Sequence, residues 1–444
     1  MTIWKKIFGE DHANVASNYN NLASVYDRLG EYNQAKELLE KALTIRKRIF
    51  GKDHADVATS YNNLALLYNR LGEYNQAKEL REKALTIRKR IFGEDHAYLA
   101  TSYNNLALVY NRLGEYNQAK ELHEKASTIW KKIFGEDHAN VGSNYNILAS
   151  VYDCLGEYNQ AKELHEKALT IWKKIFGEDH ADVARSYNNL ASVYDRLGDY
   201  NQVKELLEKA LKIWKKIFGE NHADVAISYN NLASVYYRLG EYNQANELYA
   251  KALTILKNIF GEDHATIGTS YNNLALVYDR LGEYIQAKEL YEKALTIWKN
   301  IFGEDHADVA TSYDNLASVY HRLGEYNEAK ELHEKALRIR KKIFREDHAD
   351  VATCYGNLAS VHRSLGQNSQ AKELSEKALM IFKKIFGEDH ADVATSYGIL
   401  ALVHSSLGEY NQAKELHEKA LMIFKKICGA DHACFIIHLK SFLV

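Results

Sequence analysis

Histidine beside aspartate or asparagine recurs along this chain, and histidine and aspartate are both metal ligands. The pairs end at His12, His54, His96, His138, His180, His222, His264, His306, His348, His390 and His432, at intervals of 42 residues. A closed metal site needs three or four ligands around one point. Each interval supplies only one or two, and packed helices would hold neighbouring copies about 10 Å apart. We therefore expect helix capping here, and no metal or other cofactor.

Asparagine and arginine form three further columns at the same period. An amide offers donors and an acceptor to the backbone of any extended peptide, and a guanidinium offers a planar fork to carboxylates. The first column is Asn20, Asn62, Asn104, Asn146, Asn188, Asn230 and Asn272. The second is Asn21, Asn63, Asn105, Asn189, Asn231, Asn273, Asn315 and Asn357. The third is Arg28, Arg70, Arg112, Arg196, Arg238, Arg280 and Arg322.

The elements that must position these columns follow from the apolar pattern of one repeat. In residues 54–95, Val57, Tyr61, Leu64 and Tyr68 step by three or four residues, which predicts a helix of about 15 residues. A second apolar stripe from Tyr74 to Phe92 predicts a helix of about 18 residues. A fixed period in this range indicates stacked helical hairpins, because one hairpin cannot bury its apolar side alone.

Glycine separates the helices, and the chain contains no proline. Gly72 and its equivalents suit a left-handed C-cap after the first helix. Gly51 and its equivalents are expected to close the second helix in the same way, with Arg345 as the exception. Asp53 is then expected to cap the following helix.

Composition excludes several classes of function. The net charge is −2, so no global basic field favours nucleic acid or anionic lipid. No apolar run approaches the length of a membrane helix. The cysteines form no CxxC pair, which predicts free thiols and a cytoplasmic location. They are Cys154, Cys354, Cys428 and Cys434. No catalytic constellation stands out, so we expect a protein that is not an enzyme.

The repeat resembles the tetratricopeptide repeat. The residues that carry this resemblance are Tyr61, Leu64, Ala65, Tyr68, Gly72, Tyr74, Ala77 and Ala84, and their columns recur ten times. The 42-residue length, the Asn-Asn-Leu-Ala core and the Phe-Gly-Glu-Asp-His-Ala linker resemble the kinesin light chain and nephrocystin-3 type. That type usually has proline after the linker histidine, where this chain has alanine.

The resemblance implies an all-α fold, an α-α superhelix of about ten helix-turn-helix repeats. It also implies that the polar face of the first helix lines a concave groove. We therefore predict a non-catalytic scaffold that binds extended protein or peptide segments, with a preference for acidic ones. The candidate site is the three columns of asparagine and arginine. An acidic neighbour in the preceding column, Asp27, Asp153, Asp195 or Asp279, is expected to compete for the arginines.

Two alternatives remain open. One asparagine column could merely tie neighbouring repeats together, which we expect more of the Asn63 column than of the Asn62 column. The chain could also be the repeat region of a nephrocystin-3-like signalling NTPase of the NACHT or NB-ARC type, although it contains no P-loop sequence and no heptad segment.

We expect the remaining columns to have structural roles. His123, His165, His333 and His417 are expected on a partly exposed surface, and the tryptophans in packing. The polar columns change in the last two repeats, where Gly356, Gly398 and Ile399 replace polar residues. We divide the chain into a truncated preceding repeat at 1–12, ten repeats at 13–432 and a divergent tail at 433–444. Uncapped ends would favour self-association.

Overall fold

The computed structural model describes residue 9 and residues 11–428. Repeat 1 begins at Ala13, and each repeat contributes two helices to the described region. The first helices are α1 (Ala13–Arg28), α3 (Ala55–Arg70), α5 (Ala97–Arg112), α7 (Ala139–Cys154), α9 (Ala181–Leu197), α11 (Ala223–Arg238), α13 (Ala265–Leu281), α15 (Ala307–Arg322), α17 (Ala349–Ser364) and α19 (Ala391–Ser406).

The second helices complete the hairpins. They are α2 (Tyr32–Phe50), α4 (Tyr74–Phe92), α6 (Tyr116–Phe134), α8 (Tyr158–Phe176), α10 (Tyr200–Phe218), α12 (Tyr242–Phe260), α14 (Tyr284–Phe302), α16 (Tyr326–Ile343), α18 (Asn368–Phe386) and α20 (Tyr410–Cys428). The all-α solenoid fold and the two helices per repeat are confirmed. The predicted tail 433–444 and most of the predicted segment 1–12 lie outside the described residues, so association through the ends stays a prediction.

Each first helix begins at a histidine cap. The Nδ1 atom of His54 accepts a hydrogen bond from the backbone N–H of Asp56 at 3.2 Å, which satisfies one of the free donors of the first turn. The ring of Phe50 stacks on His54 with centroids 4.4 Å apart and orients the imidazole. The expectation that Asp53 caps this helix is wrong, because its carboxylate pairs with Arg90 at 2.6 Å.

The two glycine columns adopt different conformations. Gly198 after a first helix has φ 77° and ψ 10°, the left-handed cap that was predicted. Gly177 after a second helix has φ 79° and ψ 176°, a region that is essentially restricted to glycine. The prediction that the second helix ends with the same left-handed glycine cap as the first is therefore wrong. Where Arg345 replaces this glycine, α16 ends one residue earlier, at Ile343, and Phe344 is extended.

The chain divides into two compact units, Met1–Gly219 and Glu220–Val444. Within each unit, every described helix packs against the helix that follows it. Small residues occupy the crossings: Ala84 of α4 is fully buried in a cluster with Val57 and Leu64 of α3, and Ala77 of α4 is fully buried in a cluster with Ala65 and Val109. Such contacts bury the apolar side that one hairpin would expose, at roughly 25 cal/mol per Å² of apolar surface.

A row of ion pairs joins most linkers to the second helix of the next repeat. The pairs are Asp11–Arg48, Asp53–Arg90, Asp95–Lys132, Asp137–Lys174, Asp179–Lys216, Asp305–Lys342, Asp347–Lys384 and Asp389–Lys426. These side chains are exposed, so each pair contributes little alone. The row is interrupted where Asn258 and Asn300 replace the basic residue.

None of the helices in the described region is long and apolar enough to cross a membrane.

Candidate functional site

The predicted polar face lies at the contact between successive first helices. Between repeats 1 and 2 it forms a cleft of about 230 Å³, which Asn20, Asn21, Asn63, Asp27 and Leu39 help to line. Both asparagine columns thus reach one cleft, with the second helix supplying Leu39 to it. A cleft of this kind offers amide groups beside an apolar surface.

The Asn62 column is largely engaged inside the protein. The Oδ1 atom of Asn62 accepts a hydrogen bond from Nη1 of Arg81, on the second helix of the same repeat, at 2.9 Å. When its amide oxygen faces Arg46, Asn20 accepts from that guanidinium at 2.9 Å. In the C-terminal unit, Asn272 accepts from Asn315 at 2.9 Å.

The same contact is made by histidine in repeats 3 and 4. The Nδ1 atom of His123 donates to Asn104 at 2.8 Å, and that of His165 donates to Asn146 at 2.9 Å. Burial lowers the pKa of both histidines to about 4. We expected His123, His165 and His333 to lie on a partly exposed surface. This prediction is wrong, because all three side chains are buried and only 0–3% exposed.

The sequence carried a signal for this burial. Leucine occupies the same column at Leu39 and Leu207, and both side chains are buried. A column that alternates between leucine and histidine indicates an interior position where the histidine needs a polar partner. The asparagine one helix away supplies that partner. Only His417 in the column is half-buried.

The Asn63 column is less engaged than the Asn62 column, which reverses our expectation for the two. Asn315 donates to Asn272. The remaining members make no side-chain hydrogen bond within the described structure. They are exposed at Asn21, Asn189 and Asn231, and half-buried at Asn63, Asn105, Asn273 and Asn357. Their amides are therefore available to a ligand.

The arginine column is exposed and partly neutralised by the preceding repeat. Arg70 pairs with Asp27 at 3.0 Å, and Arg322 pairs with Asp279 at 2.5 Å. The predicted pairing of aspartates with the arginine column is thus confirmed for Asp27 and Asp279. Arg280 donates from Nε to the hydroxyl of Tyr237 at 3.0 Å. No ion pair engages Arg28, Arg112 or Arg196 among residues 11–428, where all three are exposed.

A second set of arginines lies beneath the face, and the sequence pattern did not distinguish it. Arg46 and Arg88 each donate from Nη1 to a serine of the next repeat, Ser60 and Ser102, at 2.9 Å. Burial lowers the pKa of both guanidinium groups. Tryptophan occupies this column in repeats 3, 4, 5 and 7, at Trp130, Trp172, Trp214 and Trp298, and all four are buried, as packing predicts.

Repeat 8 replaces the asparagine of the Asn62 column by Asp314. Its Oδ1 atom accepts from His333 at 2.7 Å, and its Oδ2 atom pairs with Arg340 at 2.6 Å. The Sγ atom of Cys354 lies 3.0 Å from the same Arg340 Nη1, and burial, followed by the charge of Asp314, raises the pKa of this thiol to about 12. This buried group is self-contained, because Asp314 satisfies both His333 and Arg340.

The linker histidines do not assemble a metal centre in the described region, where no three His, Cys, Asp or Glu side chains form a cluster suited to an ion. Their Nδ1 atoms are used as caps.

The sequence matches the model of the tetratricopeptide repeat in ten overlapping segments that together span residues 1–426. A comparison with curated protein sequences finds no match. Among solved structures, BtubC (BKLC) from P. vanneervenii is 27% identical, with 51% of this chain and 92% of that chain covered and a TM-score of 0.46.

Two further structures are similar. A putative kinesin light chain from Podosopora anserina, with nearly identical TPR-like repeats, is 28% identical over 47% of this chain and 98% of that chain, with a TM-score of 0.42. The quorum sensor NprR from B. thuringiensis is 17% identical over 86% of this chain and 99% of that chain, with a TM-score of 0.54. The last likeness is one of fold.

Proposed function

Because the chain belongs to the tetratricopeptide repeat family, we propose that it is a non-catalytic scaffold that binds extended peptide segments along its first helices. The ligand lies across successive repeats and contacts one side chain of the Asn63 column in each. Recognition is spread over several repeats, since each offers similar groups. Its partners are proteins that expose an unfolded, polar segment.

The observation that carries this proposal is the free amide of the Asn63 column. Asn63 lines the cleft between repeats 1 and 2 beside Asn21, and neither side chain makes a hydrogen bond within residues 11–428. A peptide backbone presents alternating donors and acceptors, which a row of amides can satisfy without reading the side chains. Leu66 and Leu67 border the same cleft and offer apolar contact.

The Asn62 column has a supporting role in this proposal. Its oxygens hold the second helix through Arg81, His123 and His165, so its members position the cleft and contribute fewer free groups. Arg28, Arg112 and Arg196 lie on the same face and have no carboxylate partner within the described part of the chain. They supply the preference for acidic segments, and Arg70, paired with Asp27, contributes less.

A peptide selection tests the proposal. A random dodecapeptide library displayed on phage is selected against the full chain, and enriched peptides are labelled for fluorescence anisotropy. The test variant changes Asn21, Asn63, Asn105 and Asn189 to alanine, all within the N-terminal unit. The matched control changes to alanine four exposed lysines that recur every 42 residues on the second helices, Lys83, Lys125, Lys167 and Lys209.

We expect the asparagine variant to bind at least about tenfold more weakly, because several hydrogen bonds of about 1 kcal/mol each are lost. The lysine variant should bind within about twofold of the parent chain, since its changes lie outside the cleft. Helicity measured by circular dichroism should be retained in both. Selected peptides that bind the asparagine variant at full affinity would refute the assignment of this face.

A further inference from the structure

Arg81 is a buried cation with no counter-ion among residues 11–428. It lies on α4 and is 6% exposed. Burial and repulsion from Arg88 lower its pKa to about 10. Its Nη1 atom donates to Asn62, but its Nε atom and the Nδ2 atom of Asn62 are buried and make no hydrogen bond in the described region. Two donors therefore face an interior that offers them no acceptor.

The cost of this arrangement is large by ordinary standards. A buried charge normally pairs with an opposite charge or neutralises. Guanidinium stays protonated near neutral pH even with its lowered pKa, so Arg81 remains a cation. Nothing in the packing requires arginine at this position, because Leu39 and Leu207 fill the same column in repeats 1 and 5 and are buried there.

Repeat 8 shows how the chain satisfies a buried arginine internally. There Arg340 of the second helix receives Asp314, at the position equivalent to Asn62, with Nη1 and Oδ2 2.6 Å apart. In repeat 2, Arg88 is the equivalent of Arg340, and the buried Arg81 is the equivalent of His333, which Asp314 also contacts. The amide of Asn62 stands where repeat 8 has the carboxylate. The amide supplies one acceptor atom and no charge, so a carboxylate is missing from repeat 2.

The place where repeat 2 lacks a carboxylate corresponds to the cleft of repeat 1. In repeat 1 the residue equivalent to Arg81 is Leu39, which lines the cleft together with Asn20 and Asn63. By the 42-residue equivalence, Arg81 lies at the same depth below the first helices of repeats 2 and 3. A group that enters between those helices would reach Arg81 beside Asn62.

We propose that Arg81 and Asn62 form a subsite for a carboxylate carried by an acidic peptide that lies along the first helices. The subsite rests on the proposed function, since the same peptide engages the Asn63 column. The incoming carboxylate accepts hydrogen bonds from the Arg81 guanidinium and from Asn62 Nδ2, and it supplies the negative charge that Asp314 supplies in repeat 8. Repeat 2 thereby anchors the acidic residue of the ligand, while the other repeats bind its backbone.

The experiment uses labelled hexaglutamate and hexaglutamine peptides as probes with the full chain, read by fluorescence anisotropy at fixed ionic strength. Arg81→Leu places at this position the residue of repeats 1 and 5. Asn62→Asp supplies the internal carboxylate of repeat 8. The matched control is Arg90→Leu on the same helix, which removes an exposed arginine with 61% side-chain exposure. Urea unfolding of every variant verifies that it folds.

We expect Arg81→Leu and Asn62→Asp each to weaken hexaglutamate binding by about tenfold to a hundredfold, the usual effect of a lost charge-assisted contact. Arg90→Leu should stay within about twofold of the parent chain. Asn62→Asp should also raise the urea midpoint, because it neutralises Arg81 in the free protein. Hexaglutamine binding should be unchanged in all three variants.

Two results would overturn the subsite. In the first, Arg81→Leu does not change hexaglutamate binding, while the selected peptides still depend on the Asn63 column. That result would support the groove and refute the subsite. The other combines two observations: sodium acetate stabilises the parent chain but not Arg81→Leu, and the parent chain binds hexaglutamate no better than hexaglutamine. That result would assign Arg81 to small free anions. If selected peptides ignore the Asn63 column but hexaglutamate binding still requires Arg81, the groove fails and the carboxylate subsite remains.

Discussion

Arg340 and Asp314 form a buried ion pair with 2.6 Å between Nη1 and Oδ2, at a position that is asparagine in the seven preceding repeats. The second carboxylate oxygen accepts from His333 at 2.7 Å. One aspartate thus satisfies two groups of the second helix, and the contact is confined to the C-terminal unit. Repeats with asparagine at this position meet the same need with an amide or leave it unmet.

Asp314→Asn is expected to lower the free energy of unfolding by about 3–5 kcal/mol, since it leaves Arg340 buried without a counter-ion. Asp305→Asn breaks the exposed pair with Lys342 and should cost less than about 1 kcal/mol. Urea unfolding monitored by circular dichroism measures both.

A rescue variant separates charge from packing. Repeat 7 combines Asn272 with Trp298, the equivalents of positions 314 and 340. The double variant Asp314→Asn, Arg340→Trp should therefore recover most of the lost stability, because no unpaired cation remains. Equal stability of the single and double variants would show that the ion pair is not the source of the effect.

Stability of the N-terminal unit is expected to fall in mild acid. His123 and His165 have pKa values of about 4 because they are buried, against about 6.5 in an unfolded chain. The unfolded state therefore binds more protons between pH 6.5 and pH 4, and stability is lost as the pH falls through that window. From pH 7.5 to pH 5, each histidine should contribute a loss of ~2 kcal/mol.

Replacing both histidines by leucine should flatten this pH dependence, because Leu39 and Leu207 already occupy the column. Urea midpoints at pH 7.5 and pH 5 measure the difference. Replacing the capping histidines His96 and His138 by asparagine serves as the control, since these residues are not deeply buried. A parent chain with equal midpoints at both pH values would contradict the burial of His123 and His165.

The two glycine columns should respond differently to asparagine. Gly198 is in the left-handed region, which asparagine adopts at small cost. Gly177 has ψ 176°, where a side chain is strained by about 1–3 kcal/mol. No heavy atom lies within 4 Å of a Cβ at either glycine, so only the backbone differs. Gly177→Asn should lower the melting temperature more than Gly198→Asn, and the reverse order would refute these conformations.

The interrupted row of linker ion pairs can be repaired at one position. Asn300→Lys restores the basic residue opposite Asp263 and should add about 0.2–1 kcal/mol, with less gain at high salt. Asn258→Lys is the control, because residue 221, its partner position, is asparagine. Chemical unfolding at low and high salt measures both variants. A gain from Asn258→Lys as large as that from Asn300→Lys would attribute the effect to net charge.

The sequence by itself determined the repeat, the helix pairs and the glycine boundaries. These features are local, since the apolar spacing around Leu64 and Ala84 and the glycine at position 72 act within one hairpin and recur at every period. The sequence predicted the helix cap in the linker incorrectly. The sequence placed the cap at Asp53, but tertiary contact with Arg90 removes that carboxylate and stacking on Phe50 presents His54 instead.

Only the tertiary structure decided which asparagine column faces inward. Asn62 and Asn63 are adjacent in sequence but point about 100° apart on the helix. The second helix packs on the side to which Asn62 points, and Asn63 therefore stays at the cleft. Arg81, 19 residues further along the chain, meets Asn62 and leaves Asn63 at the cleft. The sequence pattern assigned both residues to one polar face, because helical spacing does not record which neighbour covers each edge of that face.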